Sequence, residues 1–244
     1  GTLTPHQPTS RAPREVDAQR RRAEQDKAMA LSALATGWRV AGEKRYLDAA
    51  FQLADIFSEQ KKRTGRLARR LDATEPPPTL EDYAWAAAAL LDLWEAAGRE
   101  EDIQLAGELA EDAVRLFVRE GDPCMSTAAQ AALLPLESRP WTDHATHSPI
   151  GVFARTLARL HLLGDPRFPP ALFEGWLVRG GPEAPTIALA GELLAKGRVF
   201  VVGGDREGRR PFLELLRRKW RPGTVVCELS EDSSLGCMEG KEAH

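Results

Sequence analysis

The sequence predicts a mainly α fold built of helical hairpins, followed by a small C-terminal β-α-β element. Three observations carry this. Apolar residues recur at three- and four-residue spacing along most of the chain. Three turns share one design, A-G-E-K-R-Y-L at Gly42, A-G-R-E-E-D-I at Gly98 and L-G-D-P-R-F at Gly164. In each, a glycine ends one helix in the left-handed region, polar residues turn, and an apolar residue begins the return. After Lys196 the pattern changes to short β-rich runs on either side of an amphipathic stretch.

Residues 1–14, with Pro5, Pro8 and Pro13 among Thr, Ser and Arg, lack apolar periodicity and read as a flexible leader. Helical character begins at Val16. The first hairpin pairs Asp26–Ala41 with Lys44–Lys62, its faces marked by Leu31, Leu34 and Ala35, then Leu47, Ala50, Phe51, Ala54 and Phe57. Pro76, Pro77 and Pro78 stop any helix before the second hairpin, Leu80–Ala97 with Glu101–Val118. The third pairs Ser148–Leu163 with Phe168–Val178, where Pro169 and Pro170 shorten or delay the return helix. A helix at Thr186–Lys196 leads into a strand at Arg198–Val202, a helix at Arg210–Trp220 and a strand at Thr224–Leu229. The expected organisation is thus a leader over 1–14, hairpins over 15–196, β-α-β over 197–230 and a tail over 231–244. Unequal spacing of the three turn glycines argues against a regular solenoid and for a toroid of hairpins, which tolerates insertions.

A chain of 244 residues, 43% of them hydrophobic, is long enough to bury a substantial core. Net charge is −3 with basic residues dispersed, so strong attraction to nucleic acid is not expected. The one basic run, Lys61-Lys62-Arg63 to Arg69-Arg70, has no interleaved aromatic for base stacking and reads as a solvated helix end and loop. The longest apolar stretch, around Ala84 to Leu91, falls far below the roughly 20 residues that span a bilayer. Three cysteines, Cys124, Cys227 and Cys237, are odd in number and lack C-x-x-C spacing, which argues for a reducing, cytoplasmic setting rather than a disulfide framework. The first residue is Gly and no basic start with an apolar run follows, so the expectation is a fragment or processed chain.

Several stretches resemble one family. L-E-D-Y-A at Leu80–Ala84, with A-L-L-D-L-W-E-A-A-G ending at Gly98, resembles the motif and following helix of the YyaL-like, spermatogenesis-associated thioredoxin-domain family. Asp26-Lys27 followed by S-A-L-A is similar to its D-D-K segment, Asp143 to Ser148 to its D-x-A-x-P-S segment, and Arg198 to Leu229 to its terminal strand-helix-strand. The resemblance spans most of residues 20–240. It implies a thioredoxin-like domain ahead of an (α/α)6 toroid similar to six-hairpin glycosidases and sugar epimerases, of which this chain would be a partial ring. It also implies a partner in the missing N-terminal portion or another chain, a sugar-like small molecule as ligand, and no cofactor. The departures are Gln25 in place of the first Asp, loss of W-N-G, His147 in place of Pro, Ile150 in place of Asn, and Cys124-Met125-Ser126 in place of Gly-Gly-aromatic.

Polar clusters mark the expected start of each hairpin's first helix: Asp26-Lys27, Glu81-Asp82-Tyr83, and Asp143-His144 with His147-Ser148. In a ring of hairpins the first helices form the inner layer and their N-termini open on one mouth, where acids and imidazoles can converge on a ligand. On that reading Asp26, Glu81, Asp82 and Asp143 are the catalytic acids, one protonating while another accepts. Lys27, Tyr83, Trp85 and His144 bind substrate. The competing reading is capping, since Thr79 with Asp82 is close to a capping box and Ser148-Pro149 is a cap with Pro at the first helical position. His144 and His147 lack a clear third metal ligand. V-V-G-G-D at Val201–Asp205 lacks a full phosphate-loop pattern and reads as a strand-to-helix turn. Trp94 reads as core; a second class of function is a non-catalytic module whose open hairpin edge docks another chain.

Overall fold

The computed structural model describes residues 13–67, 77–132, 138–179, 181–218 and 223–228. Residues 1–12 of the expected leader, Arg69, Arg70, Trp220, Leu229, Cys237 and the tail lie outside them. Helix α1 runs Pro13–Ala41 and α2 Lys44–Thr64. The second hairpin is α3, Leu80–Ala97, and α4, Glu100–Phe117. A two-stranded antiparallel ribbon follows, β1 Val118–Arg119 with β2 Asp122–Pro123, then a short α5 at Ala128–Ala131. Helix α6 is Pro149–Leu162, and α7 is the single turn Glu174–Leu177 preceded by a 3-10 turn at Pro170–Leu172. Helix α8, Pro185–Lys196, leads into β3 Arg198–Val202, α9 Arg206–Arg218 and β4 Thr224–Glu228.

The three predicted turn glycines all hold positive φ, 68° at Gly42, 72° at Gly98 and 85° at Gly164, a region costly for any side chain. At Gly98 the N–H closes the cap by donating to Trp94 O at 2.7 Å. Two expectations are corrected. α1 begins at Pro13, so residues 13 and 14 belong to it and Asp26 sits inside a helix rather than at its start. The stretch before Asp26, rich in Ala, Gln, Arg and Glu, reads as helical from Val16, and in the structure it runs without a break into the first hairpin helix. The return helix of the third hairpin is only the 3-10 turn and α7. Pro169 and Pro170 interrupt it, and Phe173 and Trp176 fill the space a longer helix would cover, with Trp176 stacked 5.9 Å from Phe153. Trp176 Nε1 also donates to Gly121 O in the β1–β2 turn at 2.7 Å.

The terminal element has the expected topology: β3 and β4 pair in parallel, Arg198 opposite Thr224 through Val202 opposite Glu228. α9 starts earlier than expected, at Arg206, because Asp205 Oδ1 accepts from the N–H groups of Glu207 and Gly208 at 3.0 and 2.8 Å. Those bonds hold the exposed Asp205 carboxyl below the usual range, and the V-V-G-G-D segment is a capped strand-to-helix turn.

Helices α1, α3, α6 and α8 form one row with a common direction. Ser32 meets Asp92 and Trp38 meets Ala96, so α1 and α3 advance together. Trp85 stacks on His147 just before α6, while Asp92 meets Arg159 near its end. Asp143, before α6, bonds Thr186 at the start of α8. Helices α2 and α4 return on one side of α1 and α3. The core centres on α3, where Leu80, Tyr83, Leu90, Leu91 and Trp94 are all buried, and Leu31, Ala35, Ala50, Ala54 and Phe57 from the first hairpin join it. The α6–α8 contact is close: a Cβ at Gly151 would lie 2.9 Å from Thr186 Cβ and 3.2 Å from Ile187 N. Gly151→Val is therefore expected to cost about 2 kcal/mol or more by overpacking, read as a lower melting temperature in a calorimetric scan.

Candidate functional site

Along the row, α1, α3, α6 and α8 line an open cavity of about 610 Å³ that reaches Gly223 and Thr224 at the start of β4. Each helix gives it one stripe at helical spacing. From α1 come Met29, Ser32 and Thr36; from α3, Trp85, Ala88, Ala89, Asp92 and Glu95. From α6 come Val152, Arg155, Thr156 and Arg159; from α8, Leu189, Glu192 and Leu193. Small residues at Ser32, Ala88, Ala89 and Thr156 keep the helices from filling the space between them. Arg39 and Val40 line it at the end of α1, and His147 at the start of α6. The Trp85 and His147 rings stack at 6.1 Å between centroids, 22° apart.

One wall is an ion-pair cluster. Arg159, only 5% exposed, places Nη1 2.9 Å from Asp92 Oδ1 and Nη2 2.6 Å from Glu95 Oε1, with Nε 3.2 Å from the same Glu95 oxygen. The remaining oxygens are used: Ser32 Oγ donates to Asp92 Oδ2, and Val226 N–H donates to Glu95 Oε2 at 3.4 Å. Burial alone would lower the Arg159 pKa, yet Glu95 and Asp92 outweigh it and raise the value. One turn earlier, Arg155 is partly buried and makes no hydrogen bond or ion pair among the described residues. Its pKa is lowered, first by desolvation and then by the charge of Arg159. Trp85 Nε1 is buried without an acceptor.

Of the residues singled out from the sequence, Trp85 and His147 line this cavity and the proposed acids lie elsewhere, as do Lys27, Tyr83 and His144. Asp26 is exposed within α1, with Lys27 half-buried beside it. Glu81 is half-buried in the first turn of α3. Asp82 Oδ2 accepts from the Thr79 N–H at 2.7 Å and from its hydroxyl at 3.0 Å, the reach-back half of a capping box. Tyr83 is fully buried, which corrects its assignment to substrate binding. Its hydroxyl accepts from Leu67 N–H at 3.1 Å, it packs 5.5 Å from Phe117, and burial pushes its pKa up to about 12.

Asp143 ties α6 to α8. Its Oδ1 accepts from Ser148 N–H at 2.6 Å and its Oδ2 from Thr186 N–H and Oγ1, both at 2.8 Å. Desolvation pulls its pKa up, but these bonds together overcome that and hold it below the usual carboxylate range. Ser148 caps α6 by accepting from Gly151 N–H at 3.2 Å. His144 is exposed, 3.2 Å from Thr142 Oγ1, and His147 Nδ1 lies 3.0 Å from Thr186 Oγ1. No cluster of three or more His, Cys, Asp or Glu able to hold a metal forms among the described residues. Cys124 and Cys227 are buried, and Trp94 is core.

The residues that sequence reasoning passed over are Ser32, Asp92, Glu95, Arg155, Arg159 and Glu192. A signal was available: Asp92 and Glu95 interrupt an alanine- and leucine-rich helix, and Arg155 and Arg159 interrupt the apolar α6, each on the cavity stripe. No known family model matches the chain, and no curated protein matches it.

Two outcomes follow. Arg159→Met strands two acids in a buried position and is expected to cost about 3–5 kcal/mol, a fall of roughly ten degrees in melting temperature for a chain of this size. Because the folded pKa of Asp143 lies below its unfolded value, its contribution is full above the usual carboxylate range and is lost as pH falls through and beneath it. Asp143→Asn is expected to flatten the dependence of melting temperature on pH between roughly 5 and 3.

Proposed function

We propose that the chain is the C-terminal portion of an α/α toroid of the YyaL-like kind and that the cavity between its parallel helices binds a carbohydrate-sized small molecule. The carrying observation is the cavity itself: about 610 Å³, with an aromatic pair, Trp85 and His147, at one end and charged groups along its length. That volume suits a mono- or disaccharide, and an aromatic face with convergent polar side chains is the chemistry that holds a sugar ring and its hydroxyls. The parallel row of first helices with α2 and α4 returning outside supports the toroid reading. Asp92 and Glu95, engaged by Arg159, Ser32 and the Val226 N–H, make the ion-pair wall rigid. Glu192, exposed at the cavity edge and without an ion-pair partner among the described residues, is the carboxylate available for proton transfer.

Intrinsic-fluorescence titration of the full chain with neutral and charged monosaccharides tests the reading. Saturable binding is expected, weakened at least about tenfold in Trp85→Ala and in Glu192→Gln, with the exposed Glu192 change leaving stability within about 0.5 kcal/mol. Absence of any saturable response sinks it.

A second reading, a module that docks another chain, is favoured by one observation. Phe212 and Leu215, three apart on α9, are large apolar side chains that are 63% and 51% exposed. If this face is an interface, sedimentation velocity should show concentration-dependent association that Phe212→Asp abolishes; a concentration-independent monomer contradicts it.

A further inference from the structure

The geometry points to an anionic ligand: the cavity receives an oxyanion, carboxylate or phosphate, on a sugar-sized molecule, with Arg155 as its receptor. This rests on the cavity being a ligand site and names the chemical class it takes.

The two arginines of α6 are one turn apart, face the same cavity, and are treated differently by the structure. Arg159 takes the bonding geometry of both nearby acids, leaving Asp92 and Glu95 to reach Arg155 only through space. The five N–H donors of Arg155 therefore have no acceptor among the described residues, although the side chain is partly removed from water. A desolvated, unmatched cation beside a second cation is a cost to the fold. Its lowered pKa reports the same thing: burial and the Arg159 charge both disfavour the guanidinium, and the distant acids only partly offset them.

The indole ring of Trp85 lines the same cavity, its Nε1 closed to water. A guanidinium whose neighbouring carboxylates are engaged by Arg159 is open to an acceptor that a ligand brings. The planar guanidinium fork matches the paired oxygens of a carboxylate or phosphate. Leu189 and Val152 give the cavity an apolar wall between its charged groups.

Isothermal titration of the full chain with glucose 6-phosphate, glucuronate and glucose at matched ionic strength tests this. At least one anion is expected to bind at least tenfold more tightly than glucose; phosphate alone or carboxylate alone identifies the source, and either supports the proposal. Arg155→Gln should weaken that anion at least tenfold, Arg155→Lys should retain part of the affinity, and neither unliganded variant should melt below wild type. Glucose binding as tightly as the anions and lost in Trp85→Ala overturns the anionic assignment while leaving the sugar site standing. Unchanged anion affinity in Arg155→Gln also overturns it. No binding by any of the three overturns both this inference and the site it rests on.

Discussion

The buried guanidinium of Arg159 is the joint on which the row of helices depends. Through Asp92 and Glu95 it fastens α6 to α3, through Asp92 and Ser32 it reaches α1, and through Glu95 it meets the backbone of β4. Apolar packing sets how closely such helices approach, but it tolerates sliding along their axes. A buried guanidinium held between two carboxylates does not, because a shift of even one residue leaves charges buried and unmatched. The cluster therefore specifies register more than it adds stability, and the cavity beside it inherits that register. Asp143 acts similarly at the opposite end, fixing the start of α6 to the start of α8 with bonds from two backbone N–H groups and one hydroxyl.

The hairpins were legible in the sequence because their signals are local. A glycine at a helix end, a proline run before Leu80 and a Ser-Pro pair at the start of α6 act within a few residues of themselves. The β-α-β element was legible for the same reason. What could not be read was anything depending on which helix faces which. Glu120-Gly121, both with positive φ, makes a tight ribbon turn that carries little apolar signal. The cavity lining was missed on similar grounds. Attention fell on polar residues at helix starts, where Asp82 and Ser148 serve their own backbone, whereas the polar groups lining the cavity sit in mid-helix among alanines and leucines. A charge in such a place is expensive, so its presence is the more informative clue.

Arg155 and Arg159 illustrate how one helix can carry opposite logics a turn apart. Arg159 is saturated, and its partners would suffer most from its removal. Arg155 is unsaturated, so its removal should relieve the unliganded fold. Groups kept against the interest of stability are where binding is to be sought. The cavity thus combines a wall fixed by ion pairs with a donor that no described residue engages.

The common direction of α1, α3, α6 and α8 has a further effect. Peptide dipoles in aligned helices add, and an antiparallel neighbour cancels them. For α1 and α3 the long return helices α2 and α4 supply that cancellation. For α6 the return is a single helical turn, so its dipole is left largely uncompensated, with its positive pole at Ser148 beside His147 and Trp85. Shortening one outer helix, a consequence of two prolines, leaves the positive end of α6 to be met by a side chain instead of a neighbouring helix, and the Asp143 carboxylate, accepting from Ser148 N–H, is the anion that meets it.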